Sequence, residues 1–407
     1  MPSPATGWAG AVITGAGATP YDPHYCEGAA QLRLGPGFFR PDSRPARDLG
    51  VLLARRLAAQ GTLRVLDLMA GCGVRSLRYG LEAGAAAVWA NDADPDRLPL
   101  LRLNLEPLAD RLELRLSALT AQKLLADCLL RDQRFELVDL DAFGCPTALL
   151  PLALEAVRFG GVLYLASSDG RSPTGHDRVS ALRSLGAAAR AHPASWELAL
   201  RLQLGVVARA AWCLGRGLQP LLNFSDGRTF RTAVQVSRSP AALEEDQLGL
   251  LAHCHGCGDQ QVQSLRRLRG WQACRCSAPP PLAVSGPLWI GPLQDPDWLG
   301  ELSALATAGA TDGASGGAAE APVAEQSRRL LAQLVADDGE GARVWPMAQI
   351  ARQLPAGTLR LRPLLERLRR AGWSASVSGV MPGQLRSSAP WEVVLELAAT
   401  GDGRLDR

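Results

Sequence analysis

The stretch "LRVLDLMAGCGVRSLRYGLEAG" (residues 63–84) decides the fold of this chain. Its apolar start predicts a buried strand, and Gly71 and Gly73 predict a tight turn. The residues from Val74 to Gly84 have the spacing of an amphipathic helix. At such a strand-to-helix turn a ligand can approach the backbone and accept hydrogen bonds from the first helical amides. The sequence therefore predicts a small-molecule site here.

Strands and helices alternate after this unit. Strand-like runs follow at "AAVWAND" (86–92), "LELRLS" (112–117), "FELVDLD" (135–141) and "GGVLYLASS" (160–168), separated by helical stretches. This order is typical of a parallel sheet with crossover helices. Two further strands around the turn "SDGR" (225–228) predict an antiparallel addition to the sheet. We expect a doubly wound α/β domain over about residues 45–240.

Carboxylates near the glycine turn indicate which ligand it takes. Asp92 ends the second strand about twenty residues after the glycines, where an acidic side chain can accept hydrogen bonds from ribose hydroxyls. Asp67 precedes the glycines, where a carboxylate would attract a cationic amino acid moiety and repel a pyrophosphate. The third glycine of the dinucleotide fingerprint is missing, which also favours S-adenosylmethionine. The alternative is a glycine turn that holds no ligand.

The fourth strand of the alternation ends in two aspartates, and an aromatic residue follows them, in "FELVDLDAFGCP" (135–146). The carboxyl ends of parallel strands meet at one edge of a sheet, so these side chains are expected beside the same pocket. Methylation of an exocyclic amine needs an acceptor for the amine protons and a flat surface for the base. We predict Asp141, Phe143 and Asp139 as the catalytic group. The alternative is that Asp139 caps the following helix.

Four cysteines form two close pairs, Cys254 with Cys257 and Cys274 with Cys276. Two such pairs joined by a short loop are typical of a tetrahedral zinc site, and a chain of this length without a secretory signal favours metal over disulfides. Four protein ligands leave no open position for a reacting water molecule. The predicted zinc is therefore structural.

Charge gives a weaker indication of the partner. The net charge is +3, and among 43 basic residues only Lys123 is a lysine. Basic residues are concentrated in two stretches. The first contains Arg266, Arg267, Arg269 and Arg275, and the second, near Trp373, contains Arg360, Arg362, Arg367, Arg369, Arg370 and Arg386. Both predict contacts with RNA phosphates, with a solvated helix face as the alternative for the first.

The chain length predicts several domains. We expect a catalytic domain with an N-terminal extension over 1–240, a zinc-binding segment over 241–302, a linker or loop over 303–324 and a C-terminal domain over 325–407. In the last, short amphipathic helices followed by the strand-like "WEVVLELA" (391–398) predict a small α+β winged-helix-like module. No run reaches the ~18 apolar residues of a membrane span, and no signal peptide is apparent, so we expect a cytoplasmic protein.

Six motifs follow one another over most of the chain. They are "YCEGAAQL" (25–32), "FFRPDSRPARDLGV" (38–51), "LMAGCGVRSLRYGLEAGAAAVWANDADP" (68–95), "FELVDLDAFGCP" (135–146), "SGPLWIGPL" (285–293) and "AGWSASVSGVMPGQLRSSAPWEVV" (371–394). Together they resemble the tRNA (guanine(26)-N2)-dimethyltransferase family. Because six separated motifs occur in order, this resemblance is far more specific than any one of them.

The resemblance implies a class I, Rossmann-like S-adenosylmethionine-dependent methyltransferase with a zinc-binding insertion and a C-terminal domain that binds tRNA. The implied reaction transfers one or two methyl groups to N2 of guanine 26, between the D-stem and the anticodon stem. By position, Arg47, Arg75 and Asp92 would hold the cofactor. Asp141 and Phe143 match the family's D-P-[FY]-G motif.

Two departures from the family pattern concern the same site. Ala142 replaces the usual proline, which loosens the turn that presents the aromatic residue. Ser117 and Ala118 stand where the family usually has an acidic residue followed by alanine near the adenine. These departures keep open a nonenzymatic tRNA-binding protein with a degenerate pocket. An N-methyltransferase with a different substrate and a nicotinamide oxidoreductase also stay open at this point.

Overall fold

The computed structural model describes residues 24–274, 276–311, 323–337, 339, 341–354 and 357–399. The start of the chain at 1–23, residues 312–322 of the predicted linker, and Arg275 lie outside the described residues. Within the described ranges, none of the helices combines the length and the apolar character that crossing a lipid bilayer requires.

An N-terminal hairpin precedes alternating helices and strands. The hairpin consists of β1 (His24–Glu27) and β2 (Ala30–Arg33). The following elements are, in chain order, α1 (Arg44–Ala58), β3 (Arg64–Asp67), α2 (Val74–Ala83), β4 (Ala87–Asn91), α3 (Leu98–Leu105), β5 (Glu113–Ser117), α4 (Ala121–Leu130), β6 (Phe135–Asp141), α5 (Leu150–Ala156), β7 (Val157–Ser167), α6 (Arg178–Leu185), α7 (Ser195–Cys213), β8 (Gly217–Ser225) and β9 (Phe230–Ser237).

The described residues contain a seven-stranded sheet in the order β5-β4-β3-β6-β7-β9-β8. The strands from β3 to β7 pair in parallel, whereas β9 pairs antiparallel with both β7 and β8. The predicted α/β fold and its antiparallel addition are therefore confirmed. The strand order reverses between β3 and β6, and ligands bind beyond the carboxyl ends of strands at such a point.

The two faces of this sheet are covered by different helices. Val138 and Leu140 of β6 belong to a core shared with α4, α5 and α7, whereas Leu137 belongs to a core shared with α1 and α2. Successive side chains of a strand point to opposite faces. Asp139 and Asp141 therefore point to the same side as Leu137, towards α1 and α2.

The segment with the cysteines forms a second, antiparallel sheet. Its strands β10 (Leu248–His253), β11 (Gln260–Ser264) and β12 (Ala283–Trp289) have the order β11-β10-β12. Leu251 and Leu288 are buried in the same core as the helices of the α/β domain. The segment therefore packs onto the α/β domain through a shared apolar core.

Helix α8 (Pro296–Thr311) occupies the first part of the predicted linker, so the prediction is wrong there. Residues 303–311 belong to this helix. Leu302 and Ala306 are buried in the core that contains α1. The small side chains that looked like linker composition allow the helix to pack closely against its neighbours, and alanine has the highest helix propensity.

The C-terminal part continues with α9 (Glu325–Val335), β13 (Val344–Pro346), α10 (Met347–Arg352), α11 (Leu361–Arg370), β14 (Ala375–Val377), β15 (Gln384–Ser387) and α12 (Trp391–Ala398). The strands form an antiparallel sheet in the order β13-β15-β14. The short amphipathic helices predicted before 391–398 are confirmed as α9, α10 and α11. The strand predicted at 391–398 is wrong, because this segment is the helix α12, whose Trp391 and Val394 face a core with Trp345. Leu331 of α9 is instead buried in the core that contains α1.

Candidate active site and cysteine cluster

A cavity of about 470 Å³ lies at the carboxyl ends of the parallel strands. Its walls come from the turn after β3, the ends of β4 and β6, the start of β9 and the segment between β2 and α1. This is the position where ligands bind in open α/β sheets. The predicted residues that line it are Arg47, Gly71, Arg75, Asp92, Asp141 and Phe143.

The glycine turn has the geometry that a bound ligand requires. Gly71 and Gly73 have φ values of +57° and +84°, in the left-handed region that favours glycine. A Cβ on Gly71 would meet no atom of the described residues within 4 Å, so the backbone there borders open space. Helix α2 begins at Val74, which lines the cavity. The first amides of α2 are therefore close to any occupant.

Asp92 follows β4 and is half-buried in the cavity wall. Its carboxylate accepts hydrogen bonds from the amides of Gly71 and Asp94, each 3.0 Å long. These contacts fix the carboxylate and leave further lone pairs for other donors. The geometry fits the predicted contact with ribose hydroxyls.

Ser117 and Ala118 do not line this cavity as the described residues define it. The Ser117 hydroxyl donates to Asn91 Oδ1 (2.7 Å) and accepts from Trp89 Nε1 (2.9 Å). Asn91 also donates to the carbonyl oxygen of Leu68 (3.0 Å). Ser117 therefore takes part in a polar network that joins the ends of β3, β4 and β5.

Asp67 and Asp139 are register partners on neighbouring strands, and neither is exposed or lines the cavity. Asp67 accepts a hydrogen bond from Ser76 Oγ (2.7 Å), whereas Asp139 accepts from Tyr79 (2.5 Å) and Arg75 (3.2 Å). Burial, together with the negative charge of Asp139, raises the pKa of Asp67 to about 7. These contacts leave Asp139 as a support for Arg75 beneath the cavity and not as a cap of the next helix.

Asp141 lies at the end of β6 and is half-buried, with 33% of its side chain accessible. Arg75 Nη2 lies 3.2 Å from Asp141 Oδ2, while Nη1 of the same guanidinium contacts Asp139. Arg75, predicted as a cofactor ligand, thus also links the two predicted catalytic carboxylates. Burial alone would raise the pKa of Asp141, but Arg231 and Arg75 outweigh burial and lower the pKa to about 2.

Two exposed phenylalanines face each other at the cavity. Phe143 is 75% exposed and Phe38 is 66% exposed, although large apolar side chains are usually buried. Their ring centroids are 5.3 Å apart and the rings meet edge to face. Gly144, with φ +73°, turns the chain directly after Phe143. Phe38 was missed as a site residue, although the adjacent aromatic residues in "FFRP" were a visible signal.

Arg47 lines the cavity but is mostly engaged by the protein itself. Its guanidinium contacts both carboxylate oxygens of Glu27, at 2.7 and 2.6 Å, and donates to the carbonyl oxygens of Arg40 and Pro41. Both side chains of the ion pair are buried. Arg47 thereby ties the N-terminal hairpin and the segment that carries Phe38 to α1.

The four predicted cysteines come together in space. The sulfur atoms of Cys254, Cys257, Cys274 and Cys276 all lie within 4.8 Å of one another. Cys254 Sγ is 3.5 Å from Cys274 Sγ and 3.8 Å from Cys276 Sγ, too far for disulfides. A tetrahedral zinc with bonds of about 2.3 Å separates its sulfur ligands by about 3.8 Å. A Cβ on Gly256 would lie 2.9 Å from Cys276 Sγ, so a glycine permits this closure.

Only part of the predicted basic surface is exposed. Arg362, Arg369 and Arg370 lie on the solvent side of α11, while its leucines face the C-terminal core. The prediction is wrong for Arg386, whose side chain is fully buried and forms ion pairs. Its position on the central strand of the small sheet, opposite both Val344 and Ser376, encloses it.

The structure of Trm1 from Pyrococcus horikoshii in complex with S-adenosyl-L-methionine has the same fold. It superposes with a TM-score of 0.78 at 24% sequence identity, over 92% of this chain and 99% of that chain. Together with the strand order and the glycine turn, this likeness identifies the fold as that of a class I, Rossmann-like methyltransferase.

The family can be stated more narrowly. Residues 31–399 match the model of the N2,N2-dimethylguanosine tRNA methyltransferase family, and the chain belongs to this family. The tRNA (guanine(26)-N(2))-dimethyltransferase of Thermococcus kodakarensis is 29% identical over 387 residues, which cover 91% of this chain and 94% of that protein. The protein of this name from Pyrobaculum neutrophilum is 32% identical over 64% of this chain and 69% of its own length. The tRNA (guanine(26)-N(2))-dimethyltransferase of Homo sapiens is 26% identical over 355 residues, which cover 82% of this chain and 52% of that protein.

Proposed function

We propose that this protein transfers one or two methyl groups from S-adenosylmethionine to N2 of guanine 26 in tRNA. The observation that carries the proposal is the position of Asp141 and Phe143 on the wall of the cavity that Gly71 and Asp92 also line. One cavity thereby combines a cofactor-type turn with an acceptor carboxylate and an aromatic surface. Membership of the family supports the identity of the nucleic acid and the position of the base.

The residues of the cavity fit S-adenosylmethionine. When bound, this cofactor supplies an electrophilic methyl group on a positively charged sulfur. Asp92 would accept hydrogen bonds from the ribose hydroxyls, and the open backbone at Gly71 would lie against the ligand. Arg47 and Arg75 would contact the cofactor from the cavity wall, and Asp67 would lie behind that wall. The arginines would be suited to a carboxylate, which accepts two parallel N–H donors.

The guanine would enter on the side of the two phenylalanines. Phe38 and Phe143 present exposed rings on which a base that has left its helix can rest. Asp141 would accept a hydrogen bond from the N2 amino group and orient the nitrogen lone pair towards the methyl group. Ala142 leaves this arrangement intact, because Gly144 still turns the chain and its amide donates to Ser168 Oγ at 2.7 Å.

The C-terminal part would hold the tRNA. The order of α10, α11, β14 and β15 supports a winged-helix-like module, with α11 as its exposed helix. The α11 arginines would contact phosphates and position the substrate without reading its sequence. Arg266 and Arg267 would contribute less, because both form ion pairs with Asp246, at 3.1 and 3.0 Å.

The cysteine cluster would bind one structural zinc ion. The spacing of the four sulfur atoms supports this role, and a site with four protein ligands has no position for a substrate. The ligands would be thiolates, which persist in a reducing compartment, in keeping with the expected cytoplasmic location.

The test uses two tRNA transcripts that differ only in having guanine or adenine at position 26. Each is incubated with purified protein and S-adenosylmethionine, and its nucleosides are measured by mass spectrometry. We expect N2-methylguanosine or N2,N2-dimethylguanosine from the guanine transcript only, and no transfer by Asp141→Ala with cofactor binding retained. If the wild-type protein bound tRNA without transfer to either transcript, a nonenzymatic binding protein would replace the proposal.

A further inference from the structure

Arg231 is a buried cation that contacts the predicted catalytic carboxylate. Its Nη2 atom lies 2.9 Å from both Oδ1 and Oδ2 of Asp141. Only 2% of the Arg231 side chain is exposed, and the residue lines the cavity. With Arg75 on Oδ2, both oxygens of Asp141 have a cationic neighbour. The carboxylate is therefore fixed in one orientation towards the cavity.

The sheet register explains how two distant residues meet. Asp141 on β6 pairs with Ala166 on β7, and Ala166 pairs with Arg231 on β9. The three residues form one row across the sheet, and their side chains point to the same face. Adjacent strands are about 4.8 Å apart, so a long arginine can extend over the methyl group of Ala166 and reach the carboxylate. A larger residue at 166 would block this path.

The position of Arg231 is costly for folding. Its Nε and Nη1 atoms are buried and have no hydrogen-bond partner among the residues that the structure describes, while the guanidinium carbon lies 5.6 Å from the centre of the Tyr164 ring. Unpaired buried donors are unfavourable, so this guanidinium is poorly explained by stability alone. Its well-made contacts are those with Asp141. The arrangement therefore points to a role in the reaction.

Several other groups face Asp141. Arg75 comes from α2, Arg47 from α1 and Tyr164 from β7, and the carboxylates of Asp67 and Asp139 lie behind it. Burial opposes the charged form of Asp141, and Arg231 is the largest of the influences that favour it. The resulting pKa of about 2 keeps Asp141 ionised at physiological pH. Asp141 is thus a strong hydrogen-bond acceptor but a poor store for a proton.

We propose that Arg231 is a positioning residue for methyl transfer, which orients the Asp141 carboxylate and keeps it as the acceptor of the N2–H hydrogen bond. The inference rests on the proposed function and deepens it. The N2 lone pair forms the new bond to the methyl carbon while the carbon–sulfur bond breaks and its electron pair passes to sulfur. The surplus proton on N2 passes through its hydrogen bond to the Asp141 carboxylate and from there to solvent water.

The test compares Arg231→Met and Arg231→Lys with the wild-type protein. Single-turnover methyl transfer is measured at saturating tRNA and cofactor from about pH 5.5 to about pH 8.5. We expect Arg231→Met to slow transfer about tenfold or more at neutral pH, because misplacement of a catalytic group is costly. Without the charge of Arg231, burial should raise the pKa of Asp141. The rate of Arg231→Met should therefore fall further as the pH decreases, because Asp141 becomes protonated. Arg231→Lys retains a cation and should restore a flatter profile.

Arg158→Met is the matched control. Arg158 pairs with Glu136 (3.0 Å) at the opposite end of β6, and 61% of its side chain is exposed. Its rate and pH profile should equal those of the wild-type protein. Cofactor affinity by calorimetry and melting temperature are measured for each variant, and Arg231→Lys keeps the test decisive if Arg231→Met does not fold.

Two outcomes would overturn the inference. One is a wild-type rate and profile in Arg231→Met. The other is an equal loss at every pH in both Arg231 variants together with weaker cofactor binding, which would make Arg231 a cofactor ligand. An inactive wild-type protein would instead refute the proposed function, so the two failures are distinguishable.

Discussion

Arg386 and Glu197 form a buried ion pair in which Nη1 and Oε1 are 2.6 Å apart, although 189 positions separate the residues in the chain. Glu197 belongs to α7 of the α/β domain, and Arg386 belongs to the small C-terminal sheet. Arg201 contacts the same Glu197 oxygen (2.8 Å), and Asp337 contacts Arg386 (2.7 Å). Two arginines and two carboxylates thus neutralise each other between the catalytic and C-terminal parts.

Arg386→Met should destabilise the protein by about 3 kcal/mol or more, because it leaves Glu197 and Asp337 buried with too few cationic partners. The free energy of unfolding in urea measures the effect. The control is Arg370→Met, which removes an exposed pair with Glu366 (3.4 Å) and should cost less than about 1 kcal/mol. Equal effects of the two substitutions would show that the buried network adds nothing.

Phe143→Leu and Phe38→Leu should each lower the rate of methyl transfer by roughly 5- to 150-fold, because aromatic stacking on a base is worth about 1–3 kcal/mol. Leucine retains an apolar side chain but removes the flat ring. Steady-state methyl transfer to a guanine-26 transcript measures the loss, and cofactor affinity should not change. Phe159→Leu, at the far end of β7 from Ala166, is the control. A wild-type rate in both cavity variants would contradict a base-holding role.

Cys257→Ser should remove bound zinc and lower the melting temperature, because a tetrahedral thiolate site contributes folding energy. Metal analysis of the purified protein should give about one zinc per chain for the wild type and much less for the variant. Cys213→Ser changes an exposed cysteine outside the cluster and should alter neither value. A wild-type protein without zinc after purification in zinc-containing medium would refute the metal site.

Asp67 should make the protein less stable as the pH rises. Its pKa of about 7 in the folded state exceeds the ordinary value, so the folded state binds more protons than the unfolded state between about pH 4 and pH 7. The free energy of unfolding therefore decreases over that range and is lowest, for this group, above pH 7. Asp67→Asn should reduce the decrease by up to a few kcal/mol. Denaturant unfolding at several pH values tests this, with exposed Asp110→Asn as the control. An identical pH dependence in wild type and Asp67→Asn would show that Asp67 is ionised in both states.

The double variant Arg362→Gln with Arg370→Gln should weaken tRNA binding. Both arginines lie on the exposed side of α11, and the removal of each phosphate contact should reduce the slope of log affinity against log salt concentration by about 1. Filter binding at several salt concentrations measures both quantities. Arg131→Gln, 66% exposed at the end of α4, is the control. An unchanged slope would exclude α11 as a phosphate-binding surface.

Local patterns were sufficient to predict the first half of the fold. Alternating apolar runs and glycine turns depend on neighbours in the chain, so β3, α2, β4 and β6 and the cavity residues Gly71, Asp92, Asp141 and Phe143 were predictable. The cysteine pairs were also predictable, because the two cysteines of each pair are close together in the chain. The strand prediction for the C-terminal segment 391–398 was wrong because its pattern of apolar and polar residues is also compatible with a short helix. One face of that helix packs against Trp345.

What the sequence by itself determined was the class of fold, the position of the cofactor-type turn and the chemical character of the site. Only the tertiary structure decided which charges are buried together. In the structure, Arg386 is buried in an ion pair, although the sequence predicted it at the surface, and Phe38 lies opposite Phe143. It also brought Arg231 over Ala166 to Asp141. The physical reason is that these contacts depend on sheet register and helix packing between residues far apart in the chain, which no local pattern of residue types encodes.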